Sequence, residues 1–327
     1  MSIPPKTIAR KPRVQGLSVI HTLWNQPQTP NARICLLMLI FCGKIRYMKT
    51  NPNSKKQQNA VPLSFLEKLR DRLHIATYSK DALIMAKTFG LGIELNHVCI
   101  SELLDADKIE ETIKWICSDL ESAGLPFPAT KDAPILLHGP FTEIVPGAMD
   151  HRAVDLALER MEEAYELCMK IGVDRMIVHS GYFPPMYYKE WHHEKSLIFW
   201  DKFLQSKDNF TIYVENSFED EPFMMSKLMD DFDKPNLKLC LDVGHANVTT
   251  PKDLPVEKWI EHLGSRVAHY HIHNNMGTKD THSSLGDGTM DMSSILRAIE
   301  QNNSSAYTLT LESQDCSRCI KWLSSHH

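Results

Sequence analysis

From about Arg72 onward the chain alternates two hydrophobic rhythms. Short runs rich in aliphatic and β-branched residues recur as LHIATYS (from Leu73), LGIELNH (from Leu91), APILLHGPF (from Ala133) and RMIVHSGY (from Arg175). They continue with FTIYVENS (from Phe210), LKLCLDVGH (from Leu237), VAHYHIHNN (from Val267) and TLTLES (from Thr308). Runs of this length and composition predict strands. Between them apolar residues fall three and four apart, which predicts helices. The clearest is AVDLALERMEEAYELCMKIG, Ala153 to Gly172, with the glycine placed as its C-cap. Strands alternating with helices imply a parallel sheet of βα units. Eight such units over roughly 250 residues match a (β/α)8 barrel. A doubly wound open sheet would carry a glycine-rich phosphate turn after its first strand, and none follows Leu73 to Ser79. The expected fold is therefore α/β, a single-domain (β/α)8 TIM barrel over residues 72–325.

Residues 1–71 lack this rhythm. They are rich in Pro, Asn, Gln, Lys and Arg around one apolar run, ICLLMLIFC (Ile34–Cys42). That run is about half the length of a membrane-spanning helix, and no small-residue cleavage site follows it. The segment reads as an extension, largely disordered or foreign to the native chain. YMKTNPNSKKQQN makes Met48 a candidate initiator, leaving residues 1–47 outside the native protein.

Composition narrows the classes. Hydrophobic residues are 43% and charged residues 24%, ordinary for a globular chain with a full core. With 36 basic and 41 acidic residues, the net charge of -5 supplies no overall basic field for nucleic acid or anionic lipid. Eight scattered cysteines in a chain of this size point to a reducing, cytoplasmic compartment. Cys316 and Cys319 (CSRC) lack the second CxxC of a zinc site and read as helix-surface or core thiols.

The chemistry lies at the strand ends. In a barrel these endpoints converge around the axis, and six consecutive strands finish in a metal-capable side chain. These are His138, His179, Glu215, Asp242 with His245 beyond it, His271 followed by Asp280 and His282, and Glu312. Taken singly, each is as well explained by a core or capping role. Six strands in succession are not. Imidazoles mixed with carboxylates suit Zn2+ or Mn2+, and a cation removes the repulsion among clustered carboxylates. Other histidines take the plainer reading. His192 and His193 are expected to face solvent, His326 and His327 to be a frayed end. His269 and His273 share a strand face with His271, where only one need be a ligand. Trp191, Trp200 and Trp259 are expected in the core or at the lip.

On these residues, and above all on CLDVGHAN through HIHNNMGTKDTHSSLGDG, the chain resembles the xylose isomerase-like barrel superfamily from about Leu73 to Leu323. That superfamily groups sugar isomerases and epimerases with the endonuclease IV type of apurinic-site nuclease. The resemblance implies a mononuclear site of Glu215, Asp242, His271 and Glu312 on the epimerase pattern. On the nuclease pattern it implies a trinuclear zinc site that adds His138, His179, His245, Asp280 and His282. The loop IHNNMGTK is short, IATYSKDA lacks the nuclease branch's glycine-rich, histidine-containing loop, and the lip segments GPFTEIVPGAMD and SGYFPPMYYKEWHHEKS are aromatic rather than basic. A nuclease must neutralise phosphates with Lys and Arg. The expectation is a divalent-metal-dependent sugar or sugar-phosphate isomerase or epimerase. In it Glu215 and Glu312 transfer protons beside a carbonyl, and Glu215, Asp242, His271 and Glu312 hold Zn2+ or Mn2+. His179 and His245 orient substrate. Its partner is a small sugar rather than a membrane, with nucleic acid disfavoured but left open; the alternative is a zinc phosphodiesterase acting at abasic DNA.

Overall fold

A computed structural model of the chain describes residues 62–130 and 133–327. The expectations for Met48 and for residues 1–61 of the extension lie outside these residues. All eight expected runs are strands: β1 (Leu73–Ala76), β2 (Gly92–Leu95), β3 (Ile135–His138), β4 (Arg175–His179), β5 (Thr211–Glu215), β6 (Leu237–Asp242), β7 (Val267–Ile272) and β8 (Thr308–Leu311). They pair in parallel in sequence order, and β1 closes on β8 to complete the barrel.

The helices are α1 (Phe65–Leu69), α2 (Ala82–Phe89), α3 (Ile109–Ala123), α4 (His151–Ile171), α5 (Lys189–Phe203), α6 (Phe223–Asp231), α7 (Val243–Thr249), α8 (Val256–Leu263), α9 (Met292–Asn302) and α10 (Cys316–Ser325). Asp150 caps α4 at its start, and Gly172 ends it at φ 77°. Packed structure begins ahead of residue 72. Ser64 and Glu67 form a capping box on α1, which buries Phe65, Leu66 and Leu69.

Strand period two divides the core. One set of strand residues, including Ile93, Leu137, Val178, Val214, Leu239 and Leu311, packs with the helices in the main hydrophobic cluster. The alternate set faces the axis, where Leu136, Ile177, Tyr213 and Cys240 form a separate cluster. The polar strand-end residues belong to this second set.

Some expectations are corrected. His192 and His193 are buried, not solvent-facing: His193 Nε2 lies 2.8 Å from Asp231, and His192 packs edge-on to Tyr182. His326 is not frayed. Its ring stacks on Trp322 at 4.1 Å, and its carbonyl accepts from the Phe65 amide. Cys316 and Cys319 are free, buried thiols on α10; Trp200 and Trp259 are core, whereas Trp191 is half exposed. Among the described residues no helix is long and apolar enough to cross a membrane.

Candidate metal centre

The strand LKLCLD shows how the chain builds the site. Leu237, Leu239 and Leu241 pack outward under the helices, so Cys240 and Asp242 fall on the axial face. Asp242 ends the strand and caps α7, its Oδ1 accepting from the His245 amide at 2.6 Å. Asn216 clamps the Asp242 backbone through two hydrogen bonds, 2.8 Å to the amide and 3.0 Å to the carbonyl. Gly244 is required next: a Cβ there would lie 1.9 Å from the His273 ring. The cap that starts α7 thus also fixes a carboxylate at the mouth of the barrel.

All nine strand-end and loop candidates meet in one connected cluster. Nδ1 of His271 lies 3.2 Å from Glu215 Oε1, 3.2 Å from Glu312 Oε2 and 3.8 Å from Asp242 Oδ2. Oε2 of Glu215 lies 3.4 Å from His138 and 3.6 Å from His179. His245 bridges outward, with Nδ1 3.3 Å from Glu215 and Nε2 3.3 Å from Asp280; Asp280 lies 2.8 Å from His282. Glu215, Asp242 and His271 are fully buried, and Glu312 nearly so.

Two members escaped sequence reasoning. Glu94, fully buried on β2, lies 3.1 Å from His271 Nε2. His273 lies 3.1 Å from Asp242 Oδ1 and stacks on His282 at 4.1 Å, so its shared face with His271 does matter. The signal for His273 was the period-two spacing; for Glu94 it was a carboxylate alone in the aliphatic run LGIEL.

The electrostatics follow from packing acids among imidazoles. Burial pushes Glu215 up, but His271 and His179 hold it well below the usual carboxylate range. Asp242 shows the same balance, with burial outweighed by His245 and His273. Burial lowers His245, yet Asp242, Asp280 and Glu215 raise it well above an ordinary histidine. His282 is pushed up to about 9, Asp280 overcoming burial. His179, with burial dominant, falls to about 3. Such a cluster needs positive charge at its centre, from protons on imidazoles or from a cation.

The donor set fits a cation. Among the described residues, both carboxylate oxygens of Glu215, Glu312 Oε2 and His271 Nδ1 are buried without a hydrogen-bond partner. They approach one another closely but without hydrogen-bond alignment, as donors gathered around a common point do. Several of these residues form groups able to hold a metal ion: Glu94, His138, His271 and Glu312; His138, His179 and Glu215; His245, Asp280 and His282. Borderline ions such as zinc take mixed N and O ligands of this kind.

Above the cluster opens a cavity of about 810 Å³ lined by His138, His179, His245, Asp280, His282 and Glu312 at its floor and by aromatic side chains at its wall. Phe141 stacks on His179 at 4.3 Å, and Phe183 meets Phe218 edge-on at 5.4 Å. Among the described residues no Lys or Arg lines it.

Barrel, strand-end donors and cavity together define a xylose isomerase-like architecture, and the family model of that description matches residues 92–322: the chain belongs to the xylose isomerase-like TIM barrel family. Among curated relatives, the uncharacterized Methanocaldococcus jannaschii protein MJ1311 is 26% identical over 181 residues, covering 51% of this chain and 60% of that protein. The match thus spans less than two thirds of that relative's own length. A second M. jannaschii protein, MJ1614, is 23% identical over 231 residues, covering 63% of this chain and 88% of that protein. Among solved structures, a D-tagatose 3-epimerase-like protein superposes with a TM-score of 0.58 at 20% identity, covering 77% of this chain and 94% of its own. The TTHB071 protein from Thermus thermophilus, soaked with ZnCl2, gives 0.58 at 21% identity over 77% and 96%. An AP endonuclease, family 2, from Brucella melitensis gives 0.55 at 13% identity over 77% and 96%. Epimerases and a family 2 AP endonuclease thus share this fold.

Proposed function

We propose that the protein is a divalent-metal-dependent sugar isomerase or epimerase. The observation that carries this reading is the pair Glu215 and Glu312. Both are buried, each approaches His271 Nδ1 to 3.2 Å, and each keeps at least one carboxylate oxygen without a hydrogen bond. Above them the described lining of the cavity carries no Lys or Arg. Glu215, Asp242, His271 and Glu312 would hold the ion, Zn2+ or Mn2+. When bound, it supplies Lewis-acid polarisation of a carbonyl and its neighbouring hydroxyl. The chain's own residues do the rest. Glu215 from β5 and Glu312 after β8 flank the substrate carbon, one removing a proton and the other returning it. His179 is held neutral by burial and offers an uncharged donor or acceptor to a hydroxyl, while His245 is fixed between Glu215 and Asp280 to orient another. The aromatic wall covers the apolar faces of a sugar and excludes water. Glu312→Gln is expected to fold normally and to lower solvent exchange of a substrate C–H proton by about 10²–10⁴-fold, read by deuterium incorporation across a panel of ketoses and aldoses. Unchanged exchange removes Glu312 from proton transfer.

A second reading, a zinc phosphodiesterase acting at abasic DNA, is favoured by one observation: His245, Asp280 and His282 form a further donor group beside the first. The cavity lining argues against it, because phosphate backbones are held by Lys and Arg. Metal content separates the two. About one ion per chain by elemental analysis is expected for the isomerase, and about three would favour the phosphodiesterase.

A further inference from the structure

The barrel interior beneath the metal centre holds a polar chain that the catalytic reading does not use. Thr308 Oγ1 lies 2.7 Å from His269 Nδ1, and His269 Nε2 lies 2.9 Å from Thr310 Oγ1. Thr310 donates to Glu94 Oε2 at 2.5 Å, and His271 Nε2 lies 3.1 Å from the same oxygen. Every member is buried apart from Thr308, which is half-buried. Branched aliphatic residues normally fill this layer of a barrel. A buried carboxylate costs several kcal/mol in an apolar setting, so its presence calls for a reason.

Counting protons gives one. Thr310 has a single hydroxyl proton and gives it to Glu94. His269 Nε2 must then be the donor to Thr310 Oγ1, and its Nδ1 accepts from Thr308. Glu94 has only lone pairs to offer, so the proton between it and His271 sits on His271 Nε2. In a neutral imidazole the other nitrogen is then a bare lone pair. That nitrogen, Nδ1, is the one aimed at Glu215, Glu312 and Asp242.

We infer that Glu94 is a positioning residue: it holds His271 as the Nε2–H tautomer and presents Nδ1 to the cation. The inference rests on the metal-dependent reading above and adds the part of the fold that fixes one ligand. Carboxylate–histidine–metal arrangements work in this way, and losing the outer carboxylate typically weakens metal binding about 10–100-fold.

The test is Zn2+ affinity of the full chain, measured by competition with a chelator, for the parent and for Glu94→Gln, alongside thermal melting of the metal-free forms. The expected result is a loss of about 10–100-fold in affinity, with a metal-free melting temperature close to the parent's. Unchanged affinity in a folded Glu94→Gln overturns the inference while leaving the metal site standing. A parent that binds no Zn2+ or Mn2+ sinks the metal reading and this inference together. If Glu94→Gln does not fold, ¹⁵N imidazole shifts of the Zn2+-loaded parent decide: a proton on His271 Nε2 supports the assignment, and one on Nδ1 overturns it.

Discussion

On one side of the barrel axis β3 to β6 fill the interior with Leu136, Ile177, Tyr213 and Cys240, a closed apolar cluster. On the other side β7, β8, β1 and β2 fill the same interior with His269, Thr308, Thr310, His74 and Glu94, joined largely by hydrogen bonds. Both sides are buried and both close the barrel. The apolar side needs only volume and shape, whereas the polar side must pair each donor with an acceptor or lose the cost of burying it. Well-packed aliphatic residues are often at least as stable as a buried ionic network. The polar side is therefore best explained by the imidazole it supports, and the apolar side chiefly by packing, with Cys240 lying close to His269 and His271.

The division can be broken by a change on the apolar side. Ile177→Ala removes buried methyl groups from β4 at full burial and should cost about 2–5 kcal/mol in stability. If the two sides are separable, Zn2+ affinity should stay within about twofold, since Ile177 contributes no donor to the centre; that bound follows from near-additivity at independent sites. Urea denaturation and chelator competition on the same preparation supply both numbers. A collapse of affinity in step with stability would show that the sides act as one unit.

The same contrast explains what the sequence disclosed. The strand-end candidates were legible because period two fixes which residues face the axis, and because a strand's last inward residue meets the mouth whatever the rest of the fold does. Glu215 and Asp242 needed only that argument. Glu94 sits inside its strand, and its partners lie 177 and 216 residues away in sequence. Its one local signal, a lone carboxylate in the aliphatic run LGIEL, does not say which partners it meets. His192 and His193 misled for the opposite reason. Their neighbours Glu190, Glu194 and Lys195 suggest a wet helix face, but Asp231 reaches one ring, and the loop at Gly147 leaves room for the other, where a Cβ would lie 2.1 Å away. His326 took its order from the Trp322 face, a contact set by how α10 ends.

The gentlest effect, read as a slope per pH unit, tests the polar side at His74. His74 on β1 is buried, its Nδ1 donating to the Leu309 carbonyl at 3.3 Å, and Gly92 makes room for its ring, since a Cβ would lie 2.2 Å away. Burial is the main cause that pushes its pKa down to about 3 from 6.5, and any proton on His269 would add to it; Glu94 pulls upward and Arg175 downward. The folded chain thus keeps His74 neutral where the unfolded chain takes up a proton. Stability from this group is present above pH 6.5 and is lost as pH falls through the window down to about 3, at up to about 1.4 kcal/mol per pH unit. His74→Gln can keep a donor for Leu309 but has nothing to titrate. Urea unfolding of the parent and His74→Gln at several values across this window should show the parent's advantage shrinking as pH falls, with carboxylate titrations common to both cancelling in the difference. A constant gap would mean that burial does not keep His74 neutral in the folded barrel, and that a protonated imidazole is tolerated beside Glu94 and His269 on the polar side.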